Sequence, residues 1–168
     1  MEDKDIKFTV NMKTGYIFEF LYINSYGGFR SVINYGFSAI AIVALIFGYG
    51  DSPLSLIALI GLASLFTVIN PSLLLFKAWR QTKKNPGFSK PVSYTFNKSG
   101  ITLAQDGQSQ DAPWEIVLLA QETVKSIILF TGNNNATILP KACIGSELGD
   151  FKNLLREMCP AGCVKLKK

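Results

Sequence analysis

Apolar residues run in two long uncharged blocks, then give way to strand-like alternation. Residues 31–76 hold a single charge, Asp51, which separates an uncharged run over 31–50 from a second over 52–76. At about 1.5 Å per residue, roughly 20 helical residues cross the ~30 Å hydrocarbon core, so both runs are long enough. Between them, Gly50-Asp51-Ser52-Pro53 is a dense turn signal. Ser52 is placed to cap the second helix, and Pro53 at its first position loses no hydrogen bond. The pattern predicts a tight transmembrane hairpin with helices over 31–50 and 53–76. A soluble helix this long normally keeps a charged face. Glu2, Asp3 and Asp5 do not fit the basic start of a secretory signal. Ala41, Ala44 and Gly48 share one helical face, and Ala58, Gly61 and Ser64 another, so the hairpin is expected to pack on these small residues. Pro71 is expected to kink or loosen the inner third of the second helix.

The flanks read differently. Ile6 to Val10 alternates apolar and polar, the period of a half-buried strand. Residues 15–25 fit a helix through Tyr16, Ile17, Phe20 and Leu21, although Tyr16, Phe18, Phe20 and Tyr22 also fit period two; a helix is preferred. Asn85-Pro86-Gly87 breaks the chain after the hairpin. Strands are then expected over 92–96, from Ile101 and Leu103 onward, over 109–116 carrying Trp114, and over 124–131 and 136–139. Asn97-Lys98-Ser99-Gly100, Asp106-Gly107 and Gly132 to Asn135 supply the turns. Residues 117–122 are undecided between helix and strand. Leu148, Phe151, Leu154, Leu155 and Met158 make one helical face, with Ser146 as N-cap and Pro160 and Gly162 as the stop. The fold class expected is α+β: a transmembrane hairpin plus an antiparallel sheet closed by a C-terminal helix, the plan of a pleckstrin-homology-like barrel. The pieces are residues 1–30 (strand and amphipathic helix), 31–76 (hairpin), 77–90 (basic flank), 91–160 (the sheet domain, with the N-terminal strand returning to its side) and 161–168 (basic tail).

Charge sets the orientation. The chain is 48% hydrophobic and 17% charged with a net charge of +5, and the charged share lies below the roughly 25% of soluble domains. Lys77, Arg80, Lys83, Lys84 and Lys90 fall within residues 77–90, with no acid among them. Lys4, Lys7, Lys13 and Arg30 precede the hairpin, and its turn has no base. The positive-inside rule puts both termini in the cytoplasm and Asp51 outside, which predicts a multi-pass protein of the cell membrane. Phe29, Tyr35, Tyr49 and Trp79 suit the interfaces.

Candidate chemistry is sparse. The chain has no His, which removes the commonest general base and metal ligand. Cys143, Cys159 and Cys163 are spaced for neither a CxxC redox motif nor a four-ligand zinc site. Asp106, Asp111 and Glu115 read as solvated turn charges. No phosphate-binding glycine loop is present. No residue is assigned to catalysis, to a metal or to a cofactor, and the expectation is that the chain is not an enzyme. No charged side chain is expected at mid-membrane, where a transport pathway normally needs one. Beyond residue 90 acids and bases nearly balance, which gives no nucleic-acid face. The triplets at Asn97 and Asn135 match a glycosylation pattern, but the expected inside location makes them coincidences of turns. Lys165-Leu166-Lys167-Lys168 reads as a frayed end.

Tyr94-Thr95-Phe96, Ser99-Gly100-Ile101, Trp114 followed by Ile116, Ile138-Leu139-Pro140-Lys141 and Phe151 to Leu155 together resemble the YcxB-like family of small bacterial membrane proteins. Members usually carry an aromatic four positions past the proline, where this chain has Ile144. The resemblance implies a C-terminal domain like pleckstrin-homology folds and no known catalytic residues. It makes Trp114 (domain core) and Pro140 (strand-to-helix corner) fold markers. The leading functional expectation is a membrane-anchored, non-enzymatic domain that binds a protein partner, with an exposed sheet edge open to a partner strand. The alternatives are anionic-phospholipid sensing through Lys77, Arg80, Lys83, Lys84 and Lys90, and an accessory subunit of a transport assembly.

Overall fold

The computed structural model describes residues 5–132, 135–160 and 162–167. Of the sequence features read above, positions 2–4, the Asn133-Asn134 part of one turn, Ala161 and Lys168 lie outside these. The chain divides into two compact units. One joins the residues up to Tyr16 with those from Lys83 onward; the other is Ile17–Thr82.

Strand β1 (Ile6–Val10) buries Ile6, Phe8 and Val10 and exposes Lys7 and Thr9, as its alternation requires. Helix α1 (Thr14–Tyr26) follows. Helix α2 (Phe29–Ile46) stops short of residue 50. Gly48 takes φ +77°, and the N–H groups of Phe47, Gly48 and Tyr49 turn back to carbonyls of the last helical turn. Gly48 is thus a turn residue and not part of a helical face. Helix α3 (Pro53–Ser64) starts on a reciprocal cap: the Ser52 hydroxyl accepts the Ser55 N–H at 3.2 Å, and the Ser55 hydroxyl accepts the Ser52 N–H at 3.1 Å.

A π turn, Leu65–Ile69, leads into α4 (Asn70–Lys84), so one continuous helical run covers Pro53–Lys84. The second helix therefore does not end at residue 76. Lys77, Arg80, Lys83 and Lys84 occupy its last turns instead of a separate flank, because no helix breaker stands between Phe76 and Asn85. Both long helices are apolar and long enough to cross a membrane, and little of either is buried within the protein.

The small-residue faces fare unevenly. Ser38 and Ala41 are the buried positions of α2. On α3, however, Ala58 and Gly61 are exposed, while Ser64 is half-buried with Ser55, Leu59, Leu62, Ala63 and, past the helix, Phe66. Between the two helices the rings of Phe37 and Phe66 lie 6.5 Å apart. Small residues on one partner suffice for close approach.

The short helix α5 (Pro86–Ser89) begins where the Asn85 carboxamide oxygen accepts the Gly87 N–H at 3.0 Å. Then come β2 (Val92–Asn97), β3 (Gly100–Gln105) and β4 (Gln108–Ala112). Together with β1 they make an antiparallel sheet in the order β1-β2-β3-β4. Ile6 faces Phe96 and Val10 faces Val92, so the whole hairpin unit is inserted between two neighbouring strands.

The expected strand over 109–116 ends at Ala112. Pro113 offers no N–H to a ladder, and Trp114–Ile116 is a 3₁₀ turn. This break moves the chain to a second sheet, so the strand-rich part is two four-stranded sheets and not one curved sheet. Strands β5 (Leu119–Glu122), β6 (Ser126–Phe130) and β7 (Ala136–Pro140) pair antiparallel, which resolves residues 117–122 as mainly strand. Pro140 leads directly into α6 (Lys141–Ile144). Ser146 lies in a further 3₁₀ turn, Gly145–Glu147, so α7 (Leu148–Met158) starts from Glu147 with no side-chain cap. The tail then returns as β8 (Val164–Lys165), parallel to β5, in a sheet ordered β7-β6-β5-β8. Of the expected frayed end, Lys165 is thus paired and the Lys167 N–H is bonded to Glu122. The architecture is α+β, with the core between the sheets and α7. Phe96 stacks edge-on to Phe151 at 4.8 Å, and Phe8, Trp114, Leu139 and Leu155 complete the cluster.

Candidate functional site

Three features of the sheet unit stand out. The first is a cleft of about 590 Å³ at one end of the first sheet. The inward side chains Phe8, Phe96 and Ile101 share one core with α7 and Trp114. Toward the other end the half-buried Val92 and Leu103, beside the buried Val10 and Tyr94, form the floor, with Met12 and Phe88 as walls and Gln108 and Gln110 at the rim. The wall is braced. Gln105 Nε2 donates to the carbonyl oxygens of Gly87 (3.0 Å) and Lys90 (3.1 Å), and Lys90 Nζ pairs with Asp106 Oδ2 at 2.8 Å. Burial pushes the Tyr94 hydroxyl above its ordinary pKa, so it stays neutral.

The second feature is the outer edge of β4. Its residues Gln108 to Asp111 are exposed, and β4 is the last strand of its sheet. It carries neither lysine nor proline, the residues that usually guard an edge. Asp111, weighed above as an acid, accepts the Thr102 hydroxyl at 2.6 Å.

The third is a buried ion cluster on the second sheet. Glu122, its side chain only 3% exposed, meets Lys141 Nζ at 2.6 Å through Oε1 and Lys152 Nζ at 2.9 Å through Oε2. The backbone N–H of Lys167 donates to the same Oε2 at 2.8 Å, and Lys141 Nζ also donates to the Thr123 carbonyl oxygen at 2.8 Å. Burial pushes the carboxyl upward, but the two lysine bonds and the Lys167 N–H outweigh it and hold Glu122 at about 2. The cluster ties β5, α6, α7 and the tail together. Sequence reasoning missed it, because each residue alone reads as a solvated charge.

Lys77, Arg80, Lys83 and Lys84 are all exposed on α4, while Lys90 belongs to the cleft rim through Asp106. The structure thus places four of the five basic residues on one helix and the fifth in a salt bridge. Trp114 is buried and donates its Nε1–H to the Asn97 carbonyl oxygen at 2.9 Å. Pro140 is fully buried, and Ile144 packs into the core. Cys143, Cys159 and Cys163 are free thiols; burial raises the Cys159 pKa, with Cys163 adding to it. Among the described residues no group of His, Cys, Asp and Glu could hold a metal ion.

Fold and surfaces define a class: an α+β domain with a long apolar two-helix hairpin inserted between its first two strands. Residues 96–155, from the core end of β2 to Leu155 of α7, match the family model described as YcxB-like protein. Over that span the chain is similar to the YcxB-like family. No curated protein and no solved structure matches it.

Proposed function

We propose that the chain is a membrane-anchored, non-enzymatic binding module: a hairpin that spans the bilayer and a cytoplasmic, pleckstrin-homology-like domain that pairs a partner strand on β4. The observation that carries it is the insertion of the hairpin between two paired strands. With β1 hydrogen-bonded to β2, the segments entering and leaving the hairpin lie on one side of any membrane it crosses. Two sheets followed by a C-terminal helix support the pleckstrin-homology-like reading. The lysine-rich end of α4 supports the cytoplasmic side. The open edge of β4 supplies unpaired main-chain groups for a partner strand.

The test uses full-length protein in intact cells, with the native cysteines replaced. A cysteine at position 51 is labelled from outside, and one at position 109 is not. A photocrosslinker at position 109 captures a protein partner, and Gln110→Lys abolishes the capture by guarding the edge. Outside labelling at both positions, or capture unchanged by the lysine, overturns the reading.

Anionic-lipid contact is a second reading, favoured by the spacing of Lys77, Arg80 and Lys84 along one side of α4. Replacing Lys77, Arg80, Lys83 and Lys84 together by Gln is expected to leave the chain inserted in both orientations. Position 51 then becomes labelled from either side, and a single orientation would remove the flank as its determinant.

A further inference from the structure

We infer that the cleft at the open end of the first sheet is a binding site for an uncharged single-chain lipid of the monoacylglycerol class. Its size, about 590 Å³, falls within the range of small-molecule pockets. One side of it is apolar and suits an alkyl chain: the half-buried Met12, Phe88, Val92 and Leu103, over the buried Val10 and Tyr94. Its charges cancel: Lys90 and Asp106 are paired at 2.8 Å, so an anionic headgroup finds no free cation there. What remains at the rim is neutral and can both donate and accept hydrogen bonds, namely the carboxamides of Gln108 and Gln110, which match a glycerol hydroxyl or an ester carbonyl.

A peptide fits less well. The strands that floor the cleft already pair with one another through the β1-β2-β3-β4 ladder, so a peptide lying there gains no main-chain hydrogen bonds. An alkyl chain needs none. The lining also sits at the chain's two connections to the hairpin: β1 ends at Val10 and β2 begins at Val92. The wall is held in place without ligand by the paired bonds of Gln105 to Gly87 and Lys90, so little ordering is lost on binding. The inference does not rest on the β4 partner reading: that reading uses the main-chain edge of β4, whereas the cleft uses the Gln108 and Gln110 side chains of the same strand.

The experiment uses full-length protein in phosphatidylcholine nanodiscs with a monoacylglycerol carrying a diazirine in its chain. After irradiation, label is mapped by peptide mass spectrometry. Label is expected on residues 10–12, 86–94 and 103, displaced by unlabelled monoolein and not by the same amount of lysophosphatidic acid. Gln110→Glu, an exposed change that places a charge at the rim, is expected to lower cleft labelling about fivefold and leave label on residues 29–84 unchanged. Val92→Trp, which fills the floor, is expected to do the same. Label confined to residues 29–84, cleft label that monoolein does not displace, or equal displacement by lysophosphatidic acid overturns the assignment.

Discussion

Glu122→Ala will destabilise the sheet unit by about 3–5 kcal/mol, the range for removing one partner of a buried ion cluster. The substitution strands Lys141 and Lys152 and releases the Lys167 N–H. Glu122→Gln preserves shape but not charge and is expected to lose most of the same stability. Acid should reproduce the defect. Glu122 titrates at about 2 in the folded protein against 4.5 for an ordinary glutamate. The unfolded chain therefore takes up the proton first as pH falls. The stabilisation is whole above about pH 4.5 and fades toward pH 2. From the size of that shift it amounts to about 3 kcal/mol. Labelling of Cys159, buried beside the tail, reports the opening: its rate should rise in Glu122→Ala at neutral pH. An unchanged labelling rate would show that the cluster does not hold the tail.

Tyr26→Phe will loosen the hairpin, and Pro71→Ala will cancel much of the loss. The π turn directs the Asn70 N–H to the Leu65 carbonyl. The next donor along the helix would be Pro71, which has no N–H. The Phe66 carbonyl is thereby left without a helical donor. The Tyr26 hydroxyl fills the gap, donating at 2.7 Å and accepting Asn70 Nδ2 at 3.0 Å. In an apolar surround an orphaned carbonyl costs about 1–3 kcal/mol, so Tyr26→Phe is expected to lower hairpin stability by that amount. Pro71→Ala restores an N–H and lets the helix close without the tyrosine. A double-mutant cycle followed by detergent-driven unfolding should show a coupling of about 1 kcal/mol or more. Additive effects would mean the hydroxyl and the proline act separately.

The two long apolar helices were legible because residues 31–76 carry only one charge, Asp51. The alternation of Ile6 to Val10, the helical face of Phe151 and Leu155, and most turns were legible for the same local reason: each period is written in consecutive residues. The features that were not legible depend on residues far apart. Glu122 and Lys167 are brought together by a parallel strand that only two residues form. The cleft brings Val10 and Met12 together with Phe88, Val92 and Leu103. The faces of α3 went astray because small residues were assigned to both sides of a contact that needs them on one. The end of the fourth strand was misplaced by giving Trp114 more weight than the proline before it. Pro71 gave the one non-local hint, and its partner in α1 could not be named from sequence.

Placing the hairpin inside the β1–β2 connection also dictates the order of events during synthesis. Strand β1 leaves the ribosome first, yet its partner follows only after the entire apolar segment has been made. At ordinary translation rates of about 5–20 residues per second, β1 waits roughly 4–16 s with its hydrogen-bonding edge unmatched. When β2 emerges, the ends it must join are separated by some 80 residues, and a hairpin already folded by then shortens that loop and lowers the entropy of closing it. Closure of the first sheet thus waits on the whole hairpin segment, and a paired β1–β2 ladder forms only after that segment has been made.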